Sequence, residues 1–271
     1  MNSLKKTWIL TLVLTTALVL ASGCVVDVND SNDDNVNGTS KKAEGTFSYK
    51  IAVASQNEIH VEGINGTIEI TGVAGLDSIA ITGLRRVGSD SEADAIEHLS
   101  DLEVSVNAGS EQISVKTNQP RETNGREYTV NYGVRVPVNM RVTASNVNGI
   151  ITVANIENRV DAANINGNVV LDDVRGDVDV DLVNGNIICD ASLPQNGQID
   201  MNTVNGNLIL TIPGSTSATL TASVTNGSIS TSNLQFSNVT TSARSFNGTL
   251  GAGNGSIRLV AVNGTITATG H

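Results

Sequence analysis

The chain has 271 residues, of which 39% are hydrophobic and 16% charged, so it can bury one continuous core. Only 3% of its residues are aromatic, which argues against the stacking of sugar rings or nucleic-acid bases on aromatic side chains. The net charge of −11 further disfavours nucleic acids and anionic lipid headgroups as partners, because like charges repel.

Residues 1–23 are predicted to be a lipoprotein signal peptide. Two lysines precede an apolar run from Trp8 to Leu20, which is too short for a comfortable membrane span. The sequence Leu-Ala-Ser-Gly-Cys that ends at Cys24 resembles a bacterial lipobox, which implies that Cys24 is lipidated and anchors the chain in a bilayer. A plain secretory signal and an uncleaved anchor are the alternatives. By resemblance to enterobacterial sorting, Val25 implies the outer membrane.

Residues 24–45 are rich in Asp, Asn, Ser and Gly. Such a segment cannot bury enough apolar surface to fold, and it is therefore predicted to be a disordered acidic tether. Residues 46–271 are predicted to form the folded domain.

A helical insertion is predicted at about residues 89–102, where Ser89 or Asp90 can cap the helix. Apolar residues recur at helical spacing on one face, namely Ala95, Ile96, Leu99 and Leu102. We expect this helix to cover the first coil of the repeat described next. Strand-like runs follow at residues 102–106, 113–115 and 128–136.

The dipeptide Asn-Gly recurs through the second half of the chain. The pairs begin at Asn148, Asn166, Asn184, Asn205, Asn226, Asn247 and Asn263, and an earlier copy begins at Asn65. Successive glycines are mostly 18 or 21 residues apart, and the second residue after each one is apolar. A regular period of this size is typical of repeat proteins.

Each repeat divides into two half-coils. A second corner lies nine residues before each glycine, and positions +2, +4 and +7 after it are predicted to face inward, as in Val178, Val180 and Val183. The other half-coil varies in length. Alternation over four or five residues indicates half-buried β-strands. Asn-Gly can also form hairpins, but the constant period favours stacking of each strand on its equivalent one coil later. The predicted fold is therefore an all-β, single-chain β-solenoid of about 18–21-residue coils with Asn-Gly corners.

Position +3 of the fixed half-coil carries Asp161, Asp179 and Asp200 in successive coils. These three carboxylates should stack about 4.8 Å apart on the outer face. Like charges at that spacing repel unless counter-ions screen them or a hard cation bridges them. The column is thus either a solvated acidic face with Arg159 and Arg175 as partial partners, or a Ca²⁺ site. We predict no other cofactor.

The longer half-coils place extra residues in neighbouring loops on one edge. Their candidate partner-contact residues are Leu193, Pro194, Pro213, Leu234 and Phe236. Insertions in solenoids tend to collect on the binding face, although corner loops without function are the alternative. A second surface is an outward column that is unusually apolar for a solvated strand face, formed by Thr152, Val170, Ile188 and Ile209. It is predicted to contact the helix or a partner.

Catalytic and metal-ligating patterns are weak throughout. The three histidines, His60, His98 and His271, are far apart in sequence, and Cys189 occupies an inward position typical of a small core residue. We predict no catalytic residues, no firm metal site and no small-molecule substrate.

The run Tyr132-Gly133-Val134-Arg135-Val136-Pro137, followed by successive Val-Asn-Gly-x-Ile/Val coils, resembles the bacterial putative adhesin family, a domain of unknown function. The resemblance covers residues 46–271. It implies a single-chain β-solenoid, often carried by lipoproteins, and it brings no catalytic residues.

The expected function is that of a non-enzymatic, exported envelope lipoprotein, which presents its surface for adhesion or protein-protein interaction. The alternatives are a scaffold for envelope stress or assembly that binds another envelope protein and, less favoured, a β-helix polysaccharide lyase or hydrolase. The enzyme alternative is less favoured because few cations and no aromatic rings accompany the carboxylates.

Overall fold

The structure, a computed structural model, describes residues 26–27 and 41–271. The predicted signal peptide and the predicted lipidation site, Cys24, lie outside the described residues. Within the predicted tether, strand β1 (Val26–Asp27) pairs antiparallel with strand β2 (Lys41–Ala52). The folded domain therefore includes residues 41–45, which the sequence assigned to the tether.

Within residues 41–271, strands make up most of the chain and confirm the all-β prediction. After β2 they are, in order, β3 (Glu58–Glu62), β4 (Ile68–Val73), β5 (Ser78–Ser89), β6 (Glu103–Ala108), β7 (Gln112–Asn118), β8 (Glu127–Pro137), β9 (Arg141–Asn148), β10 (Ile151–Ile156), β11 (Val160–Asn166), β12 (Val169–Val174), β13 (Val178–Asn184), β14 (Ile187–Ala191), β15 (Gln198–Asn205), β16 (Leu208–Ile212), β17 (Ala218–Ser232), β18 (Phe236–Thr241), β19 (Ser245–Leu250) and β20 (Gly255–Gly270).

Parallel strands stack in two columns. One column runs β3, β9, β11, β13, β15 and then β20, and the other runs β4, β10, β12, β14, β16 and then β20. Equivalent residues of successive copies face each other, as Ile151 does Val169 and Val169 does Ile187. The inward residues of both columns form one hydrophobic core.

The inward pattern differs from the prediction at one position. Ile165, Val183, Val204 and Val262, predicted to face inward at +7, are 37–44% exposed. The buried position is +6, as in Asn164 and Leu182, because the two-residue alternation of the strand continues from +2 through +4 to +6. The +7 side chains therefore form an outer row.

The end of the stack is not in sequence order. The C-terminal strand β20 pairs with β15 and β16 on one side and with β17 on the other, so the copy at Asn263 lies between those at Asn205 and Asn226. The copy at Asn247 lies in β19, which pairs antiparallel with β17 and β18, so the prediction that this copy stacks on its equivalent one coil earlier was wrong. Its preceding half-coil has too few inward apolar residues to bury a strand, whereas β20 carries a full set.

The short helix α1 (Glu92–His98) and a 3₁₀ turn (Leu99–Asp101) occupy the predicted insertion. Ser91, rather than Ser89 or Asp90, caps the helix through its side-chain oxygen and the Asp94 N–H. The helix packs on β2 and β5, which leaves Ile188 and Ile209 of the outward column exposed. In the part of the chain that the structure describes, no helix is long and apolar enough to cross a membrane.

Candidate binding surfaces

An asparagine ladder sets the register of the stack. Each asparagine side chain donates from Nδ2 to the Oδ1 of its neighbour at 2.8–2.9 Å, in the order Asn148 to Asn65, Asn166 to Asn148, Asn184 to Asn166, Asn205 to Asn184, Asn263 to Asn205 and Asn226 to Asn263. Because the side-chain period of a strand is two, a slip of one residue would break every bond of this ladder. The outer columns of side chains are therefore held in fixed alignment.

The glycine of each pair allows the copies to approach closely. Gly206 has a φ of +151°, and a Cβ there would lie 1.7 Å from the Gly185 carbonyl oxygen. Gly149 has the same relation to Gly66, at 1.8 Å. A side chain fits neither the backbone conformation nor the space at these positions.

The predicted acidic column is present, and arginines neutralise much of it. Asp161, Asp179 and Asp200 face each other across β11, β13 and β15. Arg159 bridges Asp161 and Asp179, with its Nη2 3.0 Å from Asp179 Oδ2. Arg141 binds Asp161 at 2.8 Å, and Arg258 binds Asp200 at 2.8 Å. Arg175, expected as a partner, instead pairs with Asp173.

The pKa values of Asp161 and Asp179 shift in opposite directions. Burial disfavours ionisation of Asp161, but hydrogen bonds from Arg159 and Arg141 outweigh it and hold the pKa of that carboxyl below its ordinary value. Burial raises the pKa of Asp179, and the neighbouring carboxylates Asp181, Asp161 and Asp200 add to the rise against the attraction of Arg159. Negative potential is therefore least compensated around Asp179.

A Ca²⁺ site is not supported by this arrangement. The described residues contain no group of three or more Asp, Glu, His or Cys side chains placed to hold a metal ion. Arginines donate hydrogen bonds to both carboxylate oxygens of Asp161 and to one carboxylate oxygen each of Asp179 and Asp200.

The predicted partner-contact edge separates into two places. Leu193, Pro194 and Pro213 line one open depression of about 520 Å³. Leu234 and Phe236 are half-buried against the core, and the Phe236 ring packs edge-on to Phe246 with the centroids 4.8 Å apart. These two side chains stabilise the end of the core and are thus less available to a partner than the sequence indicated.

A groove that the sequence did not predict crosses the strands of the first column. One wall is the exposed aliphatic row of Ile165, Val183, Val204 and Val262, and the other wall includes Asp181. The groove has a volume of about 580 Å³. The sequence does contain a signal for this row, because an aliphatic residue immediately precedes Asn-Gly in each of these copies. The sequence pattern, however, predicted that these residues face the core.

The floor of the groove contains polar side chains that are almost fully buried. Asn146, Asn164 and Thr203 line it, and each is at most 5% exposed. The amides of Asn146 and Asn164 donate to the carbonyl oxygens of Gly66 and Gly149 at 2.8 Å. These hydrogen bonds hold the backbone at the Asn-Gly pairs and keep the floor of the groove rigid.

The histidines and the free cysteine form no chemical site. His98 contacts Asp101, His271 lies 3.7 Å from Asp190, and His60 lies apart from both on β3. Cys189 is buried in the core, and burial raises the pKa of its thiol to about 12. A thiolate nucleophile is therefore strongly disfavoured at this position.

Comparisons with known proteins give a family match. Residues 26–269 match the sequence model described as Toastrack DUF4097. The chain matches none of the curated proteins with which it was compared.

Three solved structures are similar over most of the chain. A "putative cell adhesion protein" from Clostridium sporogenes is 11% identical with a TM-score of 0.48, covering 83% of this chain and 99% of its own. A "putative adhesin" from Bacteroides fragilis is 10% identical with a TM-score of 0.29, covering 83% and 97%. Another from Parabacteroides distasonis is 12% identical with a TM-score of 0.24, covering 82% and 96%.

Proposed function

The chain belongs to the Toastrack DUF4097 family, a domain of unknown function, and we propose on that premise that it is a non-enzymatic lipoprotein of the bacterial envelope that binds another protein. The observation that carries the proposal is the exposed aliphatic row along the groove. Contiguous exposed apolar surface rimmed by polar residues is typical of an interaction site.

The groove favours a protein segment with aliphatic and basic side chains. Ile165, Val183, Val204 and Val262 offer apolar contact, while Asp181 and the nearby Asp179 attract positive charge. The hydrogen bonds of the floor and the neighbouring asparagine ladder hold this surface rigid, so a partner would lose little binding energy to ordering it. Adhesion to a surface protein and scaffolding of an envelope protein would both use such a contact.

The proposed architecture is a β-solenoid in which the Asn-Gly pairs are the corners between the two columns. Parallel pairing of successive copies and positive φ at the glycines support this description. A lipid on Cys24 would hold the domain at the outer membrane, with the residues after it as the link. The depression at Leu193, Pro194 and Pro213 is a second proposed contact.

Protein binding at the groove can be tested by cross-linking in intact cells. A photoreactive residue at Ile165 should yield a discrete cross-linked product, and the double variant Val183→Ser, Val204→Ser should lose it. The matched control is Ile188→Ser, Ile209→Ser, because these residues lie in the same two copies with nearly the same exposure, but in the other column. If the groove variant gives as much cross-linked product as wild type and the control variant, the groove is not the contact.

Anchoring requires a separate test. Cell fractionation should find the wild-type chain with the membranes, and Cys24→Ser should move it to the soluble fraction or block its maturation. Membrane association of the variant equal to that of wild type would contradict a lipid anchor.

A further inference from the structure

Strand β17 ends the stack with one side of its second half unpaired. Its first half, Ala218–Ser223, pairs with β20 on one side and with β19 on the other. Its second half, Asn226–Ser232, pairs with β20, and no other described strand pairs with it. We call Asn226–Ser232 the free edge.

The direction of the backbone groups at the free edge follows from the rest of the stack. In the earlier copies, the N–H of the corner glycine and that of the second residue after it donate to the next copy, as Gly149 does to Asn166 and Ile151 to Asn168. The same alternation directs the N–H groups of Gly227, Ile229 and Thr231 away from β20 and toward the free edge. Such unpaired groups are a template for another strand.

The asparagine ladder is also open at this end. At its start, the Asn65 amide donates to the Tyr128 carbonyl oxygen at 3.0 Å. At its end, Asn226 donates to Asn263, but no described residue donates to Asn226 Oδ1. The ladder therefore lacks one donor, in register with Asn226.

Charges that would discourage strand addition are absent here. Edge strands of monomeric proteins commonly carry charged residues, often lysine, that oppose pairing. From Met201 to Ala243 the chain has no Asp, Glu, Lys, Arg or His, although its net charge is −11. An uncharged segment can thus approach the free edge without leaving a charge unpaired.

From these observations we propose that the free edge binds an extended, uncharged segment of another polypeptide as an added parallel strand. Parallel pairing, as in the neighbouring copies, would bring an Asn-like donor into register with Asn226 and an apolar side chain beside Ile229. On the other column, the hairpin β18–β19 extends past β17 by two strands. A strand added at the free edge would lie at the same level of the stack as β19. The inference depends on the proposed function only in that the partner is a protein, and it uses a surface separate from the groove.

The test uses a labelled peptide of residues 260–270, the second half of β20, which is the natural neighbour of the free edge. Titration with the full-length protein, followed by fluorescence anisotropy, should show saturable binding to wild type. Thr231→Pro should weaken it at least about tenfold, because proline removes an N–H directed at the peptide. Its melting temperature should change little, since proline is tolerated where the N–H of an edge strand faces outward.

Three further variants check the direction of the N–H groups, the role of the Asn226 side chain and the independence of the free edge from the groove. Ser230→Pro removes an N–H directed at β20 and should clearly lower the melting temperature, which checks the assignment of direction. Asn226→Ala, which keeps the backbone intact, should weaken peptide binding even if Thr231→Pro folds poorly. The groove variant Val183→Ser, Val204→Ser should bind the peptide like wild type, so failure of the groove and failure of the free edge are distinguishable.

Three results would overturn the proposal. One is binding of a scrambled peptide as tight as that of the 260–270 peptide. Another is unchanged binding by both folded Thr231→Pro and Asn226→Ala. The third is a wild-type dimer that Thr231→Pro abolishes, which would assign the free edge to a second copy of the chain.

Discussion

The asparagine ladder predicts a stability difference between two chemically identical substitutions. Asn184 makes two ladder bonds, donating to Asn166 and accepting from Asn205, both at 2.9 Å, whereas Asn226 makes one. A protein hydrogen bond contributes about 0.5–1.5 kcal/mol net. Asn184→Ala should therefore lower the free energy of unfolding by about 1–3 kcal/mol and Asn226→Ala by about half as much.

Backbone strain does not confound this comparison. The positive φ values fall on the following glycines, Gly185 at 140° and Gly227 at 148°, and on neither asparagine. Alanine can adopt the backbone conformation of either position, so the measured loss reports the side-chain bonds.

Urea unfolding of the full-length protein, followed by far-ultraviolet circular dichroism and linear extrapolation, measures the two losses. Equal losses for the two variants, or a larger loss for Asn226→Ala, would refute the two-bond reasoning. A pair of negligible losses would show that water replaces the ladder bonds without cost.

Four further predictions rest on local geometry and charge. At pH 7, Asp161→Asn should lower the free energy of unfolding by about 1–2 kcal/mol, because the folded state holds the pKa of Asp161 below its ordinary value. The stability that the charged carboxyl contributes is present above pH 3.8 and is lost as the pH falls through the folded pKa. Asp179→Asn should leave the melting temperature unchanged or raise it, because a raised folded pKa opposes the charged form. Urea and thermal melts at pH 7, pH 4 and pH 3 test both signs, because the Asp161 contribution is lost only below the ordinary pKa of 3.8. Gly206→Ala should cost about 3 kcal/mol or more, and Gly75→Ala about 1 kcal/mol, because both have positive φ but only Gly206 lacks space for a Cβ; thermal melts compare them. In alkaline buffer, peptide mapping should find Asn124-Gly125 deamidated before the inner ladder asparagines from Asn148 to Asn205, because their side chains and the N–H groups of the following glycines are held by hydrogen bonds. Earlier deamidation at these inner positions would contradict this.

Much of the fold was predictable because the strand pattern is local. Alternating apolar residues identify a strand wherever they bury one face, so the elements from β9 to β16 agree with the sequence pattern. The vertical alignment of Asp161, Asp179 and Asp200 was predictable for the same reason, since equal spacing from the corner puts equal positions in register.

The candidate site was less predictable. Val183 and Val204 face outward because the alternation of the strand continues to the residue before each of them, which is buried. The pattern of apolar residues does not show this, because the exposed residues of the row are themselves apolar. The arginines of the acidic column were also hard to assign. Arg258 reaches Asp200 only because β20 inserts beside β15, a pairing across 58 residues of sequence.

The sequence by itself determined the strands, their period and the Asn-Gly pairs that align them, because each depends on residues close together along the chain. Only the tertiary structure decided the order of the last copies, and with it the free edge of β17. Several segments of this chain can pair through the same Asn-Gly pattern, so local sequence does not distinguish their order. The choice depends on which strand buries the most apolar surface beside β15 and β16, and that comparison exists only when the whole stack has formed.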